Sequence, residues 1–503
     1  MTLREFLMTT PLLTVAADWS RAMAATPTHQ HEPLRQRNAA ARARDPRPNI
    51  LLVFTDQQTA SAMSCAGNPW VKTPNMDYLA RRGTRFARCY CTSPVCSPSR
   101  ASLLSGRMPH ETGVRFNDLA PHADLPFVGH VLREQGYDAT WIGKWHLPES
   151  YATEAEIHGF HHLPSPAQLP GQHLGDVTDM TFAQMAGQYL RWHAGLSAKP
   201  WLLGVSLHNP HDICLFFNPP SSHLAVRELE PEARDAATLP PLPANHERDP
   251  AEPEMLQRRR AMGELGTTGK FTPMQWRCYL DRYYRLTETV DRALAVILDG
   301  LAAGGWLDNT LVVFTSDHGE GMAAHQWVTK LGCWDEVLRV PLLIVPPGGF
   351  NRPAPRVESA APVSLLDFLP TALDYAGVPA ANWPVQRGQS LRPALEGRSL
   401  QRDGIVAALD PDPSRPDETA RMLVTADGWK YCRYSTGDRP EQLFDLNDDP
   451  GETRNRIADP AAARARDRLR EGLLAWCEET GDPFAIVLRE APPRRRRTKG
   501  KEP

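Results

Sequence analysis

The stretch Asn49-Ile50-Leu51-Leu52-Val53-Phe54-Thr55-Asp56 decides the fold. Its apolar residues run on without alternation, as in a strand covered on both faces rather than wetted on one. Two more runs have the same character. Thr310-Leu311-Val312-Val313-Phe314-Thr315-Ser316 leads into Asp317, and Trp201-Leu202-Leu203-Gly204-Val205-Ser206-Leu207 leads into His208. Each run therefore ends on a side chain able to hold a metal or move a proton. An open α/β sheet carries its site outside the carboxyl ends of its strands, which is where these residues fall. Helical segments lie between: Asn75 to Arg82, Leu125 to Gln135, and Pro273 to Ala303. In the last, Tyr279, Tyr283, Leu286, Val290, Leu294 and Ile297 follow helical spacing. The expected class is α/β, a large mixed, mostly parallel sheet flanked by helices.

A chain of 503 residues can form two domains around a large core. Its formal net charge of −3 gives no electrostatic case for nucleic acid as a partner. No apolar stretch reaches the roughly 20 residues of a membrane helix. Arg4, the apolar segment Phe6 to Ala17 and the small residues Ala22-Met23-Ala24 read as an export signal over 1–25. Thr2-Leu3-Arg4-Glu5-Phe6-Leu7 resembles a twin-arginine signal whose first arginine is leucine. Export to the periplasm or the extracellular space is expected, with cytoplasmic residence the alternative. A polar linker is expected over 26–47 and a basic tail, including Arg494 to Arg497, over 488–503. The proline-rich, charged segment 216–269 lacks a period and reads as a surface insertion near the site mouth. Nine cysteines at this length do not make a disulfide framework.

The most specific motif is Cys96-Ser97-Pro98-Ser99-Arg100, followed by the helix-compatible Ala101-Ser102-Leu103-Leu104-Ser105-Gly106. A lone cysteine is ordinarily a buried packing residue. Here Pro98 and Arg100 stand at fixed spacing from it, and the run closely resembles the Cys-x-Pro-x-Arg signature of type I sulfatases of the alkaline phosphatase-like superfamily. Gly136-Tyr137-Asp138-Ala139-Thr140-Trp141-Ile142-Gly143-Lys144-Trp145-His146 is similar to that family's second signature, with Ala139 where Ser or Thr is usual. The resemblance extends over about Pro48 to Thr453. It implies a catalytic domain over 48–384 and, over 385–487, a smaller C-terminal subdomain with an antiparallel sheet. Arg421 to Thr425 and Trp429 to Tyr434 supply strand-like pieces there.

Cleaving a sulfate ester requires a nucleophile, cations on the sulfuryl group and an acid for the leaving oxygen. The resemblance implies that Cys96 is converted by a formylglycine-generating maturation enzyme and that the hydrated aldehyde attacks sulfur. It implies that Arg100 holds that group, Lys144 contacts it or the sulfate, and His146 holds the diol or takes its proton. His211 or Lys330 would protonate the leaving alcohol, and His325 is divided between substrate contact and packing. Asp56, Gln57, Cys96, Asp317 and His318 are the expected metal ligands. The family most often has Asp in place of Gln57 and Asn in place of His318. Oxygen donors favour Ca2+, with Mg2+ or Mn2+ the alternatives. His208, in His208-Asn209-Pro210-His211, has no implied role and is expected to be structural or peripheral. The expected substrate is an organic, carbohydrate sulfate. Two rivals stand beside it: a phosphonate monoester or phosphodiester hydrolase using the same site, and an unmatured sulfated-glycan-binding protein.

Overall fold

The computed structural model describes residues 45–148, 156–163, 175–194, 196, 199–216, 236–351, 357–410 and 413–490. Among them the main sheet comprises β1 (Asn49–Asp56), β2 (Thr84–Phe86), β4 (Asp138–Gly143), β5 (Glu156–Ile157), β6 (Phe160–Leu163), β7 (Trp201–Pro210), β8 (Thr310–Ser316), β9 (Leu342–Val345) and β10 (Val357–Ser359). A small pair is formed by β3 (Cys89–Tyr90) and β11 (Val363–Ser364). The main order is β10-β2-β9-β8-β1-β7-β4-β6-β5. The centre, from β8 through β1, β7 and β4 to β6, is parallel, whereas β9 and β5 run against their neighbours. The three apolar runs are thus adjacent at mid-sheet, with Asp56, His208 and Asp317 at one end.

Burial explains the unbroken runs. Leu51 and Val53 of β1 pack in one cluster with Val290, Leu294 and Ile297 of the helix Pro273–Ala303. Ile50, Leu52 and Phe54 point into the opposite layer, with Leu103, Leu104, Leu132 and Leu369. Both faces are dry, so alternation has no reason to appear. The long helix matches its sequence expectation at both ends; Thr272 caps it by accepting from Gln275 N–H, and Pro273 occupies its first turn. The expected helix Leu125 to Gln135 is shorter, Val128–Glu134.

The C-terminal sheet is antiparallel, β12 (Gly404–Leu409), β13 (Ala420–Thr425), β14 (Trp429–Tyr434) and β15 (Glu441–Asp445). One face buries Val406, Leu423, Tyr431 and Leu443 under Leu469, Leu473 and Cys477 of the helix Ala463–Thr480. The other adds Ile405, Met422, Val424 and Cys432 to the main core. The two sheets are also joined by a buried ion group. Lys430 on β14 lies 2.8 Å from Asp335 and 2.7 Å from Glu452.

Segment 216–269 departs from the expectation of a surface insertion. Its described part forms helices Glu254–Arg260 and Gly263–Thr268, and Met255, Leu256 and Leu265 enter the main core. Periodicity failed there because two short helices with a break between them repeat too few times to show one. The expected export signal, nearly all of the linker and the Arg494 to Arg497 run lie outside the described residues. Residues 45–47 of that linker are held: Arg47 pairs with Asp45 at 2.6 Å and donates to the Gln135 carbonyl at 2.6 Å. Among the described residues no helix is long and apolar enough to cross a membrane.

Candidate active site

Cys96 opens the helix Cys96–Ser105, where Pro98 removes no intrahelical bond because first-turn N–H groups lack partners anyway. Side chains fix this helix start. Ser97 N–H donates to Asn117 Oδ1 at 3.0 Å, Ser97 Oγ donates to the His146 carbonyl at 2.6 Å, and Ser99 Oγ to the Asp317 carbonyl at 2.5 Å. Position 96 is completely buried and sits at the positive end of the helix, which favours an anion.

Asp56, Cys96, Asp317 and His318 each offer a donor atom within 4.8 Å of the others. Cys96 Sγ lies 3.2 Å from His318 Nε2 and 3.8 Å from Asp56 Oδ1. His318 Nδ1 is 2.9 Å from the Gly319 carbonyl, which can only accept, so Nδ1 carries the hydrogen; burial opposes a charge on the ring but Asp317 and Cys96 favour it, and once neutral the ring turns the Nε2 lone pair inward. That is the tautomer a metal ligand needs. Two carboxylates, an imidazole and position 96 fit a divalent cation. The two carboxylates are hard donors, and the imidazole and the sulfur are softer.

Basic side chains surround the same atoms. Arg100 bridges the two carboxylates, 2.9 Å from Asp56 and 3.0 Å from Asp317, and also donates to Ser206 Oγ at 3.0 Å. Lys144 lies 2.6 Å from Asp56, and Lys330 Nζ donates to Cys96 Sγ at 3.0 Å. Cys96 favours the protonated forms of His146 and His211, against the burial that lowers both. Lys144 and His146 therefore meet the site from the segment that follows β4. β4 ends at Gly143, and His146 is left-handed, with φ 58°. Burial raises Asp56, yet Lys144, His211 and Arg100 bring it well below the usual carboxylate range. Burial and the Asp56 charge push Asp317 up to about 6. Burial, with Lys144 adding to it, draws His211 down to about 4.

Gln57, expected as a ligand, has φ 66° and uses its backbone N–H on Asp317 Oδ1 at 2.9 Å. Its amide nitrogen donates to Glu320 Oε2 at 2.6 Å and lies 3.4 Å from Cys214 Sγ. His325 is 4 % exposed and stacks on Trp334 with centroids 5.0 Å apart; its N–H donates to the Asn245 carbonyl at 2.7 Å. This is the packing arrangement rather than a place beside Cys96. The His208 Nδ1 lies 3.3 Å from Thr178 Oγ1, and its N–H donates to Asp179 at 2.6 Å. Sequence reasoning passed over Asn117, Ser206 and Glu320. Ser206 stands inside a quoted strand run and Glu320 just past Asp317 and His318, but nothing in their spacing marks partners as remote as Arg100 and Gln57.

So many cations converging on one buried cysteine suit a substrate that brings negative charge, and the class so defined is a hydrolase of oxyanion esters. The sulfatase family model matches residues 48–378, and that of the N-sulphoglucosamine sulphohydrolase C-terminal region matches 323–479. The chain belongs to the sulfatase family, within the alkaline phosphatase-like superfamily, and is a sulfuric ester hydrolase. It is 28% identical over 477 residues to the Delta 4,5-hexuronate-2-O-sulfatase of Bacteroides thetaiotaomicron, covering 91% of this chain and 94% of that one. Among solved structures, a 2-O GAG sulfatase matches with a TM-score of 0.73 and 26% identity, over 89% of this chain and 97% of that one. The phosphonate monoester hydrolase of Agrobacterium radiobacter matches with a TM-score of 0.69 and 26% identity, over 86% and 96% respectively.

Proposed function

We propose that this enzyme is an exported, formylglycine-dependent sulfatase that removes sulfate from a carbohydrate sulfate ester. The observation that carries this is the placing of Lys330, His318 and Asp56 within 4 Å of Cys96 Sγ at a helix N-terminus. Relatives named for hexuronate and GAG sulfates support the carbohydrate class. A cation, Ca2+ first, would be held by Asp56, Asp317, His318 and the oxygen of a matured residue 96. When bound it would neutralise the carboxylates and draw charge from the sulfuryl oxygens. Gln57 would take part through its amide oxygen only by giving up its present orientation toward Cys214.

The chain's own groups divide the remaining work. Arg100 and Lys144 hold the carboxylates and neutralise the incoming anion. Position 96, as a hydrated aldehyde, presents an oxygen to sulfur, and His146 takes its proton. Lys330, 3.0 Å from Cys96 Sγ, and His211 are the groups that would give the leaving alcohol its proton. Maturation requires a formylglycine-generating enzyme as partner. Peptide mass spectrometry of Cys89 to Arg100 after alkylation, on protein made with that enzyme, should show an aldehyde mass at 96 and no alkylation there. A fully alkylated Cys96 would instead support the unmatured glycan-binding reading.

His318 and the phosphonate hydrolase neighbour favour one second reading, hydrolysis of phosphonate monoesters at the same site. Turnover of aryl sulfates against aryl phosphonates by the matured enzyme separates the two. The sulfatase reading expects the higher kcat/KM on sulfate.

A further inference from the structure

Glu320 is fully buried and, of the groups expected at the site, it holds Gln57, and its carboxylate is crowded with donors. Oε2 accepts from Gln57 Nε2 at 2.6 Å. Oε1 accepts from Gly321 N–H at 2.8 Å and also from the Tyr279 hydroxyl and the Thr329 N–H. These partners come from three places. Gln57 immediately follows β1, Tyr279 lies on the helix Pro273–Ala303, and Thr329 immediately precedes Lys330. Burying a carboxylate is costly unless it is well hydrogen-bonded, so this one is committed to the geometry around it.

The path to the nucleophile is short. Thr329 is left-handed, φ 60°, and so is Leu331 on the other side of Lys330, φ 75°. Such backbone is unfavourable for side-chain-bearing residues and persists where surrounding contacts hold it. The Thr329 N–H bond to Glu320 is such a contact, and Gly321 N–H, donating to the Thr329 carbonyl at 2.9 Å, is a second. Beyond it Lys330 reaches Cys96 Sγ at 3.0 Å. On its other side Glu320 steadies Gln57, whose backbone N–H holds Asp317 and whose carbonyl accepts from Tyr283 at 2.6 Å.

We propose that Glu320 is a positioning residue: it clamps the Thr329 backbone against Tyr279 and Gln57 and so aims Lys330 at the nucleophile and the leaving-group oxygen. This rests on the sulfatase reading of the site. It differs from that reading in what it predicts. Lys330 makes the contact, and Glu320 acts only through it.

The test uses the full-length matured enzyme and the variants Glu320→Ala, Glu320→Gln, Lys330→Ala and the two doubles. Rates are measured on aryl sulfates of graded leaving-group acidity. Glu320→Ala should lower kcat on the poorest leaving group by about 10²-fold, the order of a lost acid, and on the best by far less. Glu320→Gln keeps an oxygen for Thr329 and should recover most of the loss. In the Lys330→Ala background the Glu320 substitutions should cost little more. Losses equal across all leaving groups, or full additivity with Lys330→Ala, would overturn the proposal. A crystal structure of Glu320→Ala with Cys96 unconverted gives a readout free of turnover. Lys330 Nζ should leave its place beside residue 96, and an unmoved Nζ overturns the proposal. If Glu320→Ala does not fold, Tyr279→Phe, which removes one donor to the same oxygen, carries both measurements. A wild-type enzyme inert on every sulfate ester would defeat the function reading instead, while leaving the crystallographic comparison able to decide the positioning.

Discussion

Arg100 is the residue on which the site's charges depend. It is buried between Asp56 and Asp317, and its remaining nitrogen is used on Ser206 and the Lys144 carbonyl. Removing one partner of a buried ion group leaves the others uncompensated, at about 3–5 kcal/mol. Arg100→Ala should therefore lose stability on that order in denaturant titrations, beyond any effect on rate. Added Ca2+ should recover part of it, because a cation bound to the folded state alone supplies about 2.7 kcal/mol at a hundred times its dissociation constant. A variant whose unfolding midpoint is unchanged and indifferent to Ca2+ and chelator would contradict both the geometry and the metal assignment. Cys96→Ala makes the complementary case: full substrate binding by calorimetry with no turnover is expected, and retained activity would defeat the mechanism.

At the scale of elements, β4 and β7 meet at an unusually tight place. A Cβ on Gly204 of β7 would lie 2.2 Å from the ring of Trp141 on β4. The two strands are in register there, Trp141 opposite Gly204. Gly204→Ala should cost about 1–3 kcal/mol by overpacking, seen as a lower thermal midpoint. That pairing also shows what a sequence exposes. The Gly204 run was legible as a buried strand because its neighbours are apolar on both faces, and β1 and β8 were legible for the same reason. Cys96, Arg100, Lys144 and His211 could be placed from motifs whose spacing is local. His146 could be placed but not oriented, since nothing in its spacing announces a left-handed backbone. The anchoring of His325 by Trp334 and Asn245, and the two short helices within 216–269, depend on contacts between distant segments. Such contacts leave no period to read.

Across the whole molecule the two sheets share Lys430. One ammonium serves Asp335, which follows closely on Lys330, and Glu452, whose Oε2 also accepts from Asp335 N–H at 2.7 Å. Burial first, with Asp335 and Glu336 opposing the pull of Lys430, pushes Glu452 up to about 8. A carboxyl raised in the folded state favours the protonated form. Its stability contribution is full below its ordinary value of 4.5 and is lost as pH rises through about 8. Thermal midpoints should fall over that window in the wild type and flatten in Glu452→Gln. An equal slope in both would show that another group titrates. Lys430→Met should be destabilising by about 3–5 kcal/mol, because Glu452 and Asp335 lose the buried ammonium between them, although Asp335 keeps Arg339 at 3.3 Å.

The same ion group sets an order of events for a chain made from its amino end. Position 96 is completely buried in the folded protein, so on the proposed function the conversion of Cys96 would have to precede its burial. The last partner in the shared ion group, Glu452, leaves the ribosome roughly 350 residues later, or roughly 20–70 s at ordinary synthesis rates. On that proposal the late arrival of the C-terminal sheet would work as a delay. Until Lys430 and Glu452 are made, Asp335 and the segment that follows Lys330 lack their partners, so the site cannot be finished before the C-terminal sheet is.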